Sequence, residues 1–208
     1  WQEIPLGEGE NRSYVATSIA QDENGVLYVG TGEGFYNESE AGYKHFKTGL
    51  PGNGVYKSNT FNKNWAADLQ NDEAKYQFVA ENISFTHMAY SGGKLFVATK
   101  NGGLKVFDGE WTDKSIDGNP IVNVTDIKVS ANGEIAVAYI LNDDAAVAVA
   151  TDANADFINN LTKDRIDLND EDVITKIELS YSLNNSNQLY ALMKYYKVTE
   201  QGAYAVEA

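Results

Sequence analysis

Cysteine is absent from this chain. That excludes disulfides, thiolate metal sites and a cysteine nucleophile, and it fits both the cytosol and many bacterial surface proteins. Arginine occurs only at Arg12 and Arg165, so the chain cannot build the arginine cluster with which a sialidase holds a sugar carboxylate. The two histidines, His45 and His87, show no H-E-x-x-H or comparable ligand spacing, and no metal site is expected from them. No apolar run approaches the roughly 18 residues of a membrane-spanning helix, so no membrane insertion is expected. There is no initiator methionine and no signal-peptide pattern at Trp1, which reads as a mature or trimmed segment. Basic residues are scarce beside acidic ones, 16 against 30, for a net charge of −14. Nucleic acid and anionic membranes both require a basic footprint, and neither is an expected partner. The simplest reading of the charge is solubility through self-repulsion; the sharper one is cation binding by carboxylate loops.

What the chain does have is a repeat. Four turns, Asp22-Glu23-Asn24-Gly25, Ser91-Gly92-Gly93, Ala131-Asn132-Gly133 and Asn184-Asn185-Ser186-Asn187, each lead into a short apolar strand beginning near Val26, Lys94, Glu134 and Gln188. Asn-Gly and Gly-Gly supply the positive φ angles that tight hairpins need. A β-rich run precedes each turn, at 14–20, 85–90, 124–129 and 174–179. The last two alternate strictly, the period of a half-buried strand. A third strand follows at 54–57, 103–107, 146–150 and 203–206. Trp65 and Trp111 both fall just after the third strand and its polar turn. Trp1 fits that position for a preceding unit and Phe157 for the third.

A period of about 40 residues is the length of a four-stranded propeller blade. The expected fold is therefore all-β: a β-propeller of four-stranded antiparallel blades, about four of them present, as one segment of a larger propeller of six to eight or more blades. The blades span approximately 14–70, 84–115, 121–160 and 173–208, with 1–5 as the outer strand of a preceding or closing blade. The polar, acidic stretch 154–172 is read as a linker between the third and fourth blades, and the fourth stops after its third strand.

From Val26 to Trp65 the chain resembles the secreted propellers of the sortilin-like and bacterial neuraminidase repeat group. Those carry an Asp-box, S-x-D-x-G-x-T-W, between the third and fourth strands of a blade. Here Ser58-Asn59-Thr60-Phe61-Asn62-Lys63-Asn64-Trp65 aligns with it. Ser58 and Trp65 match, Thr60 stands for the Asp, Asn62 for the Gly and Asn64 for the Thr. Asp108-Gly109-Glu110-Trp111 is a shortened turn at the same place. The specific motifs cover the first third of the chain. The resemblance implies a secreted or outer-surface bacterial protein, of the kind exported by the type IX system in Bacteroidetes, which the Asn-rich, Cys-free, acidic composition also suits.

Few motifs carry chemistry. Gly30-Thr31-Gly32-Glu33-Gly34 follows a strand as a phosphate loop would, but no helix pattern and no Lys-Ser/Thr ending follow it. Glycines that let a strand turn sharply near the propeller axis explain it better. The loop after it carries Phe35, Tyr36, Tyr43, His45 and Phe46 among acidic residues, a composition suited to sugar or protein recognition. Glu33, Tyr36, Tyr43 and His45 are the candidate ligand-binding residues; the same aromatics could instead pin the insertion to a neighbouring blade. His87, between Thr86 and Met88, is expected to pack between sheets. Asp126 faces away from Thr125 and Ile127 and reads as a solvated or hydrogen-bonded strand residue rather than a catalyst. No catalytic residue is marked out. Asp143, Asp144, Asp152, Asn154 and Asp156 cluster around the outer turn of the third blade in the sequence reading. The oxygen-rich T-D-A-N-A-D leaves calcium open as a cofactor, although the Gly and distal Glu of an EF-hand are missing.

The expected function is a non-catalytic propeller module presenting loops to a protein or glycan at the cell surface. The alternatives are a fragment of a propeller-type glycoside hydrolase and a scaffold subunit of a secretion or motility assembly.

Overall fold

The computed structural model describes residues 16–32, 52, 54–57, 75–76, 85–100, 102–116, 118–141, 144–162, 173–198 and 204–207. Their regular structure is entirely β. The first sheet holds β1 (Ala16–Gln21), β2 (Leu27–Thr31), β3 (Val55–Lys57) and β4 (Lys75–Tyr76); the second holds β5 (Phe85–Ser91), β6 (Lys94–Thr99), β7 (Leu104–Phe107) and β8 (Trp111–Asp113). After a two-stranded hairpin of β9 (Ser115–Ile116) and β10 (Asn119–Pro120), the third sheet holds β11 (Val124–Val129), β12 (Ile135–Leu141), β13 (Asp144–Ala150) and β14 (Ile158–Thr162). The fourth holds β15 (Val173–Tyr181), β16 (Leu189–Val198) and β17 (Tyr204–Glu207). Every large sheet is an antiparallel meander in chain order.

The first strands of successive sheets are neighbours: β5 packs on β1, β11 on β5 and β15 on β11. The three apolar clusters lie between consecutive sheets, first with second, second with third, and third with fourth. Sheets joined face to face along one innermost strand each are the blades of a β-propeller, and the expected fold class holds.

Local sequence explains the elements. The hairpin turns place Gly25 at φ 84° and Gly133 at φ 87°, where an L side chain would be strained. Gly30 is different: it lies within β2, and a Cβ there would come 3.1 Å from the Met88 sulfur of the next blade. The glycine run after β2 thus serves close blade packing at Gly30 and a turn at Gly32, with φ 89°. In the third blade, large and small side chains face each other across the ladder, Val137 beside Ala148, Ile135 beside Ala150 and Tyr139 beside Ala146. That interdigitation lets two such faces approach at native packing density.

Three expectations need correction. The stretch 154–172 is not simply a linker, because Ile158–Thr162 adds β14 to the edge of the third sheet. Its Asn-rich sequence has weak strand propensity; the backbone of β13, already fixed, supplies the pairing. The half-buried reading of β11 also fails: Val124, Thr125, Asp126 and Ile127 are all buried, because a blade lies on each side of this strand. Asp126 is accordingly not solvated.

Trp111 opens β8 and tilts against Phe107 at a ring-centroid distance of 5.1 Å. Phe157, immediately before β14, is buried in the cluster between the second and third blades. The same repeat position carries a packed aromatic in both blades. Trp1 and Trp65 lie outside the described residues.

Candidate functional site

Each innermost strand carries one register irregularity, and each falls at a threonine: Thr17 in β1, Thr86 in β5, Thr125 in β11 and Thr175 in β15. A bulge adds one residue and re-aims the side chains that follow. The next residue in each strand is polar: Ser18, His87, Asp126 and Lys176. The repeat thus places a polar group at one level of every inner strand, against the apolar faces that join the blades.

The bulge threonines clasp the next blade. Thr86 Oγ1 donates to the Val124 carbonyl at 2.8 Å. Thr125 Oγ1 donates to the Ile177 carbonyl at 2.9 Å and accepts the Ile177 N–H at 3.3 Å. Ser18 does similar work from the first blade, accepting the Met88 N–H at 2.8 Å.

The charged members gather where the second, third and fourth blades meet. Asp126 is fully buried. Its Oδ1 accepts the Ile127 N–H at 2.8 Å and the Lys128 ammonium at 2.5 Å, and its Oδ2 accepts the Leu179 N–H of the next blade at 2.7 Å. A buried carboxylate costs several kcal/mol unless it is paired and hydrogen-bonded, and this one is both. His87 Nδ1 lies 3.3 Å from Asp126 Oδ1 and 3.3 Å from the Thr125 carbonyl. Two acceptors around Nδ1 place the proton there. Lys176 Nζ is 2.5 Å from Glu178 Oε1. Burial alone would raise the Glu178 carboxyl; the hydrogen bond and charge of Lys176, with His87 and Lys128 behind them, outweigh it and hold that carboxyl below its usual value.

His87, Asp126 and Glu178 bring one ligand-type atom each to within 4.8 Å of one another. Nitrogen and carboxylate oxygen at that spacing could serve a divalent cation. The two ammonium groups argue otherwise: Lys128 and Lys176 already neutralise both carboxylates, and a divalent ion would have to displace them. The same commitment limits acid–base chemistry, since both Asp126 oxygens are occupied. The arrangement is an ion-pair network that fixes how three blades meet. Sequence reading missed it because its members are far apart along the chain. The signal was nevertheless present: superposing the repeats on their threonines puts Ser18, His87, Asp126 and Lys176 in one column.

Of the residues singled out from sequence, Glu33, Tyr36, Tyr43, His45, Ser58, Thr60, Asn62 and Trp65 lie outside the described residues. The supposed calcium cluster does not assemble. Asp144 begins β13 and Asp152 follows its far end, so a strand of 7 residues separates them. Asp152 Oδ1 instead accepts the N–H groups of Asn154 and Ala155, at 2.8 and 3.1 Å, closing its own turn. A cavity of about 80 Å³ lies between the β9–β10 hairpin and the third blade, where the Tyr139 hydroxyl donates to Asn159 Oδ1 at 2.6 Å. It is well below the several hundred Å³ of a typical small-molecule site. Among the described residues, no helix is long and apolar enough to cross a membrane.

No protein-family model matches the chain, and no curated protein matches it. Three solved structures are similar at 13% identity. The computationally designed Ika4 protein covers 100% of this chain with 98% of its own length, at a TM-score of 0.47. The Dos1 propeller covers 97% with 50% of its length, at 0.45. A Lactobacillus plantarum protein covers 92% with 54% of its length, at 0.48. The chain therefore spans about half the length of the last two. The propeller assignment stands on the strand order and on the hydrogen bonds between blades.

Proposed function

We propose that this β-propeller is a non-catalytic module at the outer surface of a bacterium, where its loops bind a protein or glycan partner. One observation carries the non-catalytic part. The close carboxylate pair on the inner strands, Asp126 and Glu178, is bound to lysines and, at Asp126, to backbone amides of two blades. A glycoside hydrolase needs one carboxyl able to donate a proton and a second poised across the scissile bond, roughly 5–9 Å apart. Asp126 has no oxygen left for either role, and the ligand atoms of the pair lie within 4.8 Å.

The binding surface in this reading is the aromatic loop with Glu33, Tyr36, Tyr43 and His45, on the general ground that a rigid framework positions functional loops. The likeness of Ser58, Thr60, Asn62 and Trp65 to an Asp-box supports a secreted propeller of the sortilin-like kind, and with it export of the type IX class. The reading requires no cofactor.

A glycan array, and a parallel panel of purified bacterial outer-surface proteins, test the proposal with the intact chain. Binding is expected on one of them, weakened about tenfold or more by Tyr36→Ala or Tyr43→Ala with the melting temperature unchanged. No turnover of chromogenic glycosides is expected. Turnover that Asp126→Asn or Glu178→Gln abolishes would overturn the reading.

A further inference from the structure

Superposing the blades on their bulge threonines shows which face each blade gives to its successor. In the second blade, Phe96 and Ala98 lie opposite Ala89 and His87. In the third, Ala136 and Ala138 lie opposite Lys128 and Asp126. All four of these β6 and β12 side chains are fully buried beneath the following blade. The corresponding pair in the fourth blade is Leu192 and Lys194, opposite Glu178 and Lys176. Here Leu192 is 70% exposed, and Tyr190 beside it is 55% exposed. Thr175, which corresponds to the clasping Thr86 and Thr125, is exposed and reaches only the Lys194 carbonyl of its own sheet, at 3.4 Å.

The opposite half of the same joint is open at the other end. The residue two beyond each threonine faces the preceding blade: Met88, Ile127 and Ile177 are 7%, 2% and 0% exposed. Its counterpart in β1, Ile19, is 65% exposed. The four blades therefore do not close on themselves. One inner strand awaits a predecessor, and one blade face awaits a successor.

We infer that the two open halves meet between two copies of this chain. Blade four of each copy seats blade one of the other, so that two chains of four blades close a ring of eight. The occupant is a second copy because the chain itself carries the complement of its own open face. The contact also continues a joint that the chain already makes three times. A joint between unlike faces usually propagates into a filament; two such joints related by a two-fold axis close instead. Leu192 would then be covered as Phe96 and Ala136 are. Thr175 would reach the arriving β1 backbone as Thr86 and Thr125 reach theirs, and Lys176 and Glu178 would become seam residues like Lys128 and Asp126.

Sedimentation equilibrium of the intact chain across the micromolar range tests this. The wild type is expected at twice the chain mass. Leu192→Asp and Ile19→Asp, each at a side chain exposed in the single chain, are expected at the chain mass with unchanged circular dichroism. An equimolar mixture of the two variants keeps one wild-type joint and is expected to regain the double mass. A wild type that sediments as a single chain would overturn the inference and leave these faces to some other occupant. A double mass unaffected by either variant, or a mixture that stays single, would overturn it equally.

Discussion

The two seams on either side of β11 are held by different chemistry. The seam with the second blade is apolar across its width: Phe96, Leu104, Val106, Ile121, Ile127 and Ile135 share one cluster, with polar bonds only at the inner end, from Thr86 and His87. The seam with the fourth blade is built from small side chains, Ala136, Ala138 and Ala145, against Ile174, Ile177 and Leu179. Polar bonds span its length: Thr125 to Ile177, Asp126 to Leu179, Tyr181 to Glu134 at 2.8 Å, and Asn132 to Ser186 at 2.6 Å. Apolar contact is non-directional and tolerates small displacements, whereas hydrogen bonds to a neighbour's backbone fix register. The comparison indicates that the second seam gains from polar anchors what its smaller apolar faces do not supply.

The largest break in that comparison is expected at Asp126. Asp126→Ala leaves the Leu179 and Ile127 amides without their acceptor and Lys128 without its buried partner, and should cost about 3–5 kcal/mol in chemical denaturation. Asp126→Asn keeps the shape but loses the charge that Lys128 requires, and should cost less than Asp126→Ala. A loss below about 1 kcal/mol for Asp126→Ala would show that the polar seam is not an anchor. In the apolar seam, Leu104→Ala should cost about 2–5 kcal/mol through the cavity it leaves, with no dependence on salt.

Threonine to valine substitutions resolve the seams more finely. Thr125→Val removes two bonds to Ile177 and should destabilise by about 1–3 kcal/mol, while Thr86→Val removes one to Val124 and should cost about 1 kcal/mol. Equal costs would remove the distinction drawn between the two joints.

How far the sequence reveals this depends on whether an element is specified locally. Asn24-Gly25, Gly92-Gly93 and Asn132-Gly133 mark their hairpins because only such residues adopt the positive φ observed there or nearby. The strands beside them follow from alternation and β-branched content. β14 was hidden, since Ile158-Asn159-Asn160-Leu161-Thr162 becomes a strand through the ladder that β13 offers. The charged cluster was hidden for a related reason. Each of His87, Asp126 and Glu178 looks like an ordinary polar position in its own strand, and only blade stacking brings them together. Even the burial of β11 on both faces is a property of its neighbours rather than of its own alternation.

Titration separates the seams further. Burial and then the hydrogen bond to Glu134 hold the Tyr181 hydroxyl above its ordinary value of 10.0. The folded state thus favours neutral tyrosine, so this contribution is complete below about pH 10 and lost as pH rises beyond it. Tyr181→Phe should make the alkaline limb of a stability profile shallower and cost about 1 kcal/mol at neutral pH. Glu178 has the opposite sign. Its carboxyl is held below 4.5, so its contribution is present above that pH and lost as pH falls through the lowered value. Because its side chain is 38% exposed, solvent screens the pair with Lys176, and Glu178→Gln should change only the slope of the acid limb.

The smallest effect, and the sharpest contrast, is expected at Thr17. It occupies the same bulge position as Thr86 and Thr125, yet its hydroxyl is buried without a hydrogen-bond partner. Ser18, one residue on, makes the bond to the second blade instead. A buried hydroxyl with no partner retains its desolvation cost and gains nothing in return. Thr17→Val should therefore be neutral or stabilising by up to about 1 kcal/mol, the reverse of the same substitution at Thr125, and Ser18→Ala should be the change that weakens the first seam. Destabilisation by Thr17→Val comparable to that of Thr86→Val would mean that the threonine clasp operates in the first blade as well, and that the difference between seams is one of degree.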